Sequence, residues 1–151
     1  MGLMQISRKV DYALRAMIYL STKDPEKSCS SAEIAEQQGV PPKFIAKIIQ
    51  HLIHNRLVRS KRGWDGGYSL ARPPHEISFR DVIEAVEGPI AVNVCMEGHS
   101  CCGHFPRCTM FGVWNEVQRK VVDVFTRTTL ADLRLAPCQL SSNASSLSRA
   151  A

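Results

Sequence analysis

No run in this chain approaches the ~20 consecutive apolar residues that a membrane-spanning helix needs. Residues 1–15 alternate apolar with charged side chains, where a secretory leader would carry an unbroken apolar block. The expected setting is the cytoplasm, with no membrane partner. Paired C-x-x-C hooks, the commoner spacing of zinc sites, are absent, and so is any internal repeat. Apolar residues make up 44% and charged residues 22%, which excludes a collagen-like or largely disordered chain. A chain of 151 residues holds one compact domain with an attachment and is too short for two ordinary domains.

Acidic residues are scarce in one segment above all. Between Pro41 and Arg72 stand Lys43, Lys47, Arg56, Arg59, Lys61, Arg62 and Arg72 against the single acid Asp65. That segment carries a net +6 of the formal +5, so the rest of the chain together carries −1. A concentrated basic patch on an otherwise neutral body is what binding to a phosphate backbone requires. A merely solvated basic face has the same charge, so the organisation of the segment has to decide.

Apolar residues at Val10, Ala13, Leu14, Met17, Ile18 and Leu20 repeat with helical period and predict a first helix over residues 7–20. Ser30-x-x-Glu33 is a capping-box pattern that predicts a short second helix ending at Gly39. Pro42 suits the first turn of a third helix, whose expected buried stripe is Phe44, Ile45, Ile48, Ile49, Leu52 and Ile53. A short helix, a tight turn and a longer helix form a helix-turn-helix, in which the second helix enters the major groove. Its outward residues Lys43, Lys47, Gln50, His51 and His54 are hydrogen-bond donors suited to phosphates and base edges. Gly63, Gly66 and Gly67 then permit a hairpin, with Tyr68 and Leu70 alternating about Ser69 as a strand. This hairpin is read as a wing, and Arg59, Lys61 and Arg62 at its base suit a narrow minor groove.

Ser78-x-x-Asp81 caps a further helix that Gly88 and Pro89 stop. From Thr109 to Arg127 a stripe of Met110, Val113, Trp114, Val117, Val121, Val124 and Phe125 runs along about five turns. Little else in the sequence is left to bury it, which favours a dimer interface. Thr129 is placed to cap a last short helix over residues 130–135, and the serine-rich residues 141–151 hold too few apolar side chains to fold. The expected fold is mainly α: a winged helix-turn-helix over residues 1–88, a cysteine loop over 89–108, a dimerisation helix with a short terminal helix over 109–136, and a disordered tail over 137–151.

Four of the six cysteines, Cys95, Cys101, Cys102 and Cys108, fall within 14 residues. In a reducing compartment such a group points to metal or redox chemistry before disulfides. Three thiolates at intervals of five or six residues can wrap an iron-sulfur cluster, which is wider than a single ion. Zinc and redox-active thiols remain the alternatives. An enzyme using Cys102 and His104 lacks a third orienting group, and no enzymatic activity is expected.

The N-terminal helix, the helix-turn-helix, the wing string Arg62-Gly63-Trp64-Asp65-Gly66-Gly67-Tyr68-Ser69-Leu70, the cysteine loop, the long helix with Trp114 and the string Thr129-Leu130-Ala131-Asp132-Leu133 together resemble the Rrf-two family of bacterial transcription regulators. The resemblance spans residues 3–135. It implies a homodimeric DNA-binding regulator, mostly a repressor, with an operator duplex as partner and a [4Fe-4S] or [2Fe-2S] cluster held by three loop cysteines. The loop is one residue longer than the commonest form. Cys95-x5-Cys101 matches the usual first interval and Cys102-x5-Cys108 the usual second. Because family insertions fall in the first interval, Cys95, Cys102 and Cys108 are favoured, with Cys101 as the alternate; Cys29 and Cys138 match no family ligand.

The position of the IscR-type fourth ligand is Phe111 here, which cannot ligate. In the NsrR type an aspartate on the first helix of the other subunit takes that role, and Asp11 falls on its position. A salt-bridged surface acid is the plain alternative for Asp11, and His99 and His104 are the competing loop ligands. Ala46, where the IscR type has glutamate, also places the chain nearer the NsrR and RirA branch.

Overall fold

Ser7 opens the first helix by accepting a hydrogen bond from the Val10 amide, and α1 (Arg8–Ser21) follows. The computed structural model describes residues 6–97, 103–104 and 107–134. Helix α2 (Ser31–Gln38) starts at Ser30, whose hydroxyl accepts from the Glu33 amide at 3.1 Å, and ends at Gly39 in the left-handed conformation. The capping box expected here is only half formed. The Glu33 carboxylate accepts instead from the Tyr19 hydroxyl at 2.7 Å and lies 3.5 Å from Lys23 Nζ, so it ties α2 to α1.

Helix α3 (Pro42–His54) carries Pro42 in its first turn, as expected, and buries Ile45, Ile48, Ile49 and Leu52. Phe44 departs from the expected stripe: it is 51% exposed and meets Tyr12 on α1 rather than the core. Three residues separate the end of α3 from an antiparallel hairpin, β1 (Val58–Lys61) with β2 (Gly67–Leu70), in the register Val58 with Leu70 and Lys61 with Gly67. Cys29 exchanges both backbone hydrogen bonds with Tyr68, at 2.9 and 2.8 Å, and so clamps the free edge of β2.

After a 3-10 turn (Pro74–Glu76), α4 (Phe79–Glu87) begins with a complete capping box: the Ser78 hydroxyl accepts from the Asp81 amide and the Asp81 carboxylate accepts from the Ser78 amide. The core lies among α1, α2, α3, the wing root and α4, with Val10, Met17, Ile34, Ile48, Leu52, Leu57, Ile77 and Val82 all 2% exposed or less. Each such aliphatic side chain contributes roughly 1.5–3 kcal/mol by burial.

Beyond this body the cysteine segment is not wholly loop, since α5 (Val94–Glu97) forms one turn of helix. Helix α6 (Phe111–Arg127) follows, and then α7 (Leu130–Arg134), with Asp132 folded back onto the Thr129 amide and hydroxyl at 2.8 Å. The sequence grouped α7 with the dimerisation helix, but Leu130 is fully buried in the body core and its amide donates to the Ile77 carbonyl at 3.0 Å. Helix α6 is thus anchored at its C-terminal end. Phe125 packs on Phe79 of α4 with ring centroids 5.1 Å apart, while Met110, Val113 and Val124 are 62%, 64% and 43% exposed. None of the residues of α6 is buried: Trp114, Val117, Val121 and Phe125 are half-covered, and the rest of the stripe is open within the single chain. The expected tail lies outside the described residues.

Candidate DNA-reading surface and cysteine cleft

Burial of Ile45, Ile48, Ile49 and Leu52 turns the opposite side of α3 outward, and Lys43, Lys47, Gln50, His51 and His54 are all exposed there. The five sequence-predicted readers therefore lie on the exposed surface of one rigid helix packed on α1, α2 and α4. The first turn of α3 contains no acid, so its N-terminal dipole adds to the positive field of Lys43.

In the wing, Lys61 and Arg62 are exposed. Arg59 has a different role: its Nε donates to Ser69 Oγ at 2.9 Å and its Nη2 to the Pro25 carbonyl at 3.0 Å. The guanidinium thus ties the wing to the segment between α1 and α2. Ser69 is 8% exposed, so its hydroxyl depends on this internal partner.

Cys95 on α5 and Cys108 ahead of α6 are both half-buried and line one cleft of about 380 Å³, together with His104, Arg107, Met110, Phe111 and Trp114. The Asn93 side chain starts α5 by accepting from the Val94 amide at 2.8 Å. Two thiols, one imidazole and a largely apolar wall form a donor set suited to a soft metal or an iron-sulfur cluster. Cys101, Cys102 and His99 lie outside the described residues, and no group of three or more His, Cys, Asp or Glu side chains placed to hold a metal ion occurs among the described ones. Asp11 does not line the cleft; on α1 it pairs with Arg15 at 3.0 Å, both side chains about half exposed.

Gln118 was missed at the sequence level. Its Nε2 donates to the Ile90 carbonyl at 2.5 Å and its Oε1 accepts from the Val92 amide at 2.9 Å, so it fixes residues 90–92, the approach to α5, against α6. The signal was present: a glutamine four residues after Trp114 and seven before Phe125 interrupts an apolar stripe. Cys29, by contrast, is 3% exposed, and burial pushes its thiol above the usual range, which disfavours the thiolate that metal binding needs. A larger depression of about 600 Å³ between the end of α1 and the wing root is lined by Arg59, Arg72 and Pro74 and by no cysteine.

Residues 6–135 match the Rrf2 family, described as an iron-dependent transcriptional regulator. A Mycobacterium tuberculosis protein described by its type alone, as an HTH-type transcriptional regulator, is 38% identical over 132 residues, covering 86% of this chain and 81% of its own. The transcriptional regulator IscR of Pectobacterium atrosepticum is 31% identical over 130 residues, covering 86% and 79%. Among solved structures, CymR, the global cysteine regulator of B. subtilis, superposes with a TM-score of 0.73 at 30% identity over 87% of this chain and 96% of its own. T. potens IscR superposes with a TM-score of 0.72 at 30% identity over 94% and 96%. These relatives are regulators of transcription and not enzymes, they share the winged helix, and the chain belongs with them to the Rrf2 family of DNA-binding transcriptional regulators.

Proposed function

We propose that the chain is a repressor whose operator affinity is set by an iron-sulfur cluster, [4Fe-4S] or [2Fe-2S], and that it works as a cytoplasmic homodimer joined through α6. Cys95, Cys102 and Cys108 are the loop ligands, with Cys101 and His104 as alternates, and Asp11 of the partner subunit is the fourth. Lys43, Lys47, Gln50, His51, Lys61 and Arg62 meet the operator, and Arg59 serves it by holding the wing in place. The observation that carries this reading is that Cys95 and Cys108 open into the same cleft. The exposed Met110, Val113 and Val124 on α6 support the dimer, since such a face gains most when a second copy covers it.

Bound in that cleft, the group would supply a centre that nitric oxide, oxygen or iron shortage destroys. The protein's part is positional. Gln118 holds the approach to Cys95, Trp114 and Phe111 line the cleft, and Asp11, now paired with Arg15, would supply its carboxylate from the partner subunit. Phe111, unable to ligate, leaves the fourth position to that carboxylate.

A second reading rests on the CymR likeness: a cluster-free regulator whose loop thiols respond to redox state. One experiment separates the two. Anaerobically purified protein, examined by native mass spectrometry and absorption near ~400 nm, is expected to be a coloured dimer carrying iron and sulfide. Asp11→Ala is expected to keep the dimer and lose the cluster faster. Colourless protein that takes up no iron and sulfide on anaerobic reconstitution overturns the cluster; an equally stable cluster in Asp11→Ala overturns the trans ligand.

A further inference from the structure

Trp64 is 103% exposed, the largest exposure among the big apolar side chains described, and it sits at the tip of the wing. An indole left wholly in water gains nothing for the fold, and tryptophan is seldom so placed without a partner. Its backbone is nevertheless well fixed. The Gly66 amide donates to the Gly63 carbonyl at 2.9 Å, closing a four-residue turn with Trp64 at its second position. The turn is tight enough that a Cβ on Gly66 would lie 2.7 Å from the carbonyl oxygens of Gly63 and Lys61. Below it, the paired backbone of Cys29 and Tyr68 holds β2, and Arg59 holds β1 to Ser69 and Pro25. The ring is therefore presented on a rigid mount, which reduces the entropy lost when it meets a surface.

The charge around the mount decides which surface. Lys61 and Arg62 precede the tip, and Asp65 is the only acid between Pro41 and Arg72. A cationic hairpin three residues from a helix that reads the major groove reaches the neighbouring minor groove of the same duplex. An apolar partner protein would gain from the indole but not from this charge.

We propose that Trp64 contacts DNA directly, entering the minor groove as an apolar wedge at a base step beside the site read by α3. Apolar side chains placed so unstack a step and bend the duplex. Flexible pyrimidine–purine steps yield most easily, so the indole adds sequence preference where no hydrogen bond is made.

The test uses the full chain and a 30-base-pair duplex that the wild-type protein has enriched from a random pool. Trp64→Ala at this fully exposed site leaves the fold intact, and the difference between wild type and variant isolates Trp64 from Trp114. The expected result is quenching of tryptophan emission by the duplex in wild type but not in Trp64→Ala. With it should come a roughly ten- to hundredfold weaker affinity and a protein-induced bend smaller by about 20° or more in circularly permuted fragments. Trp64→Phe should restore much of the affinity and bend. A blue shift without quenching, which means contact with sugars or protein but not bases, overturns the wedge, as does an unchanged affinity and bend in Trp64→Ala.

Discussion

The ring of Tyr12 meets that of Phe44 edge to face, with centroids 5.9 Å apart and planes inclined by 66°. Tyr12 follows Asp11 on α1, and Phe44 follows Lys43 in the first turn of α3, so the pair joins the proposed trans ligand to the reading helix. Edge-to-face pairs contribute about 0.5–1.5 kcal/mol, and with Phe44 51% exposed the fold depends on it little. Phe44→Ala is expected to unfold within about 1 kcal/mol of wild type while narrowing the ratio between cluster-loaded and cluster-free operator affinities. Anaerobic binding titrations of both forms measure that ratio; one equal to wild type removes Tyr12 and Phe44 from the coupling.

Gln118 makes the second prediction. Its amide satisfies the Ile90 carbonyl and the amide of Val92, a residue only 8% exposed. Removing it leaves two backbone groups to find water, at a cost of about 1–3 kcal/mol. Gln118→Ala should therefore lower the melting temperature and speed the anaerobic decay of cluster absorbance, because α5 and Cys95 lose their tether to α6. A faster decay with no change in melting would place the effect in the cleft alone; no change in either would show that the segment is held by other contacts.

Much of this architecture follows from local chemistry, and its failures are instructive. Ser78 and Asp81 form the whole capping box that their spacing predicts, because nothing else competes for Asp81 strongly: Arg72 stands 4.0 Å away. Ser30 and Glu33 have the same pattern, yet Tyr19 on α1 and Lys23 just beyond it outcompete the Ser30 amide for Glu33. Helical period put Phe44 in the core, and chain order grouped α7 with the dimerisation helix; tertiary packing departs from both, because Tyr12 gives Phe44 a surface partner and Leu130 fills the core beside Ile77. The cysteine spacing brought Cys95 and Cys108 to one cleft, whereas Gln118 and the structural role of Arg59 depend on backbone groups far away in sequence.

Glu33 makes stability depend on pH. The Tyr19 hydroxyl, donating to it, holds its carboxyl below the usual range, helped by the charge of Lys23. The folded state therefore favours the ionised form. Its contribution is fully present above the ordinary carboxylate range of the unfolded chain and is lost as pH falls through the lowered folded value. With the carboxylate 41% exposed, solvent screening keeps this contribution within about 1 kcal/mol. Glu33→Gln is expected to be slightly less stable than wild type in urea at neutral pH and to converge with it in acid. A difference that stays constant down to acid pH would assign the loss to packing rather than to charge.

Arg59 and Arg62 stand three residues apart in the wing, and salt dependence tells their roles apart. Arg62 is exposed, and in a phosphate contact it releases condensed counterions, so Arg62→Ala should reduce the slope of log affinity against log salt by about 0.9 with no change in melting. Arg59 spends its guanidinium on Ser69 Oγ and the Pro25 carbonyl. Arg59→Ala should therefore lower stability by about 1–2 kcal/mol, leaving the buried Ser69 hydroxyl short of a partner. Its affinity should fall because the wing is no longer held in place, while the salt slope stays at the wild-type value. If Arg59→Ala instead lowers the slope and leaves melting unchanged, Arg59 turns from Pro25 to the phosphates in the complex, and its bonds in the free protein are the resting state of a contact with the operator.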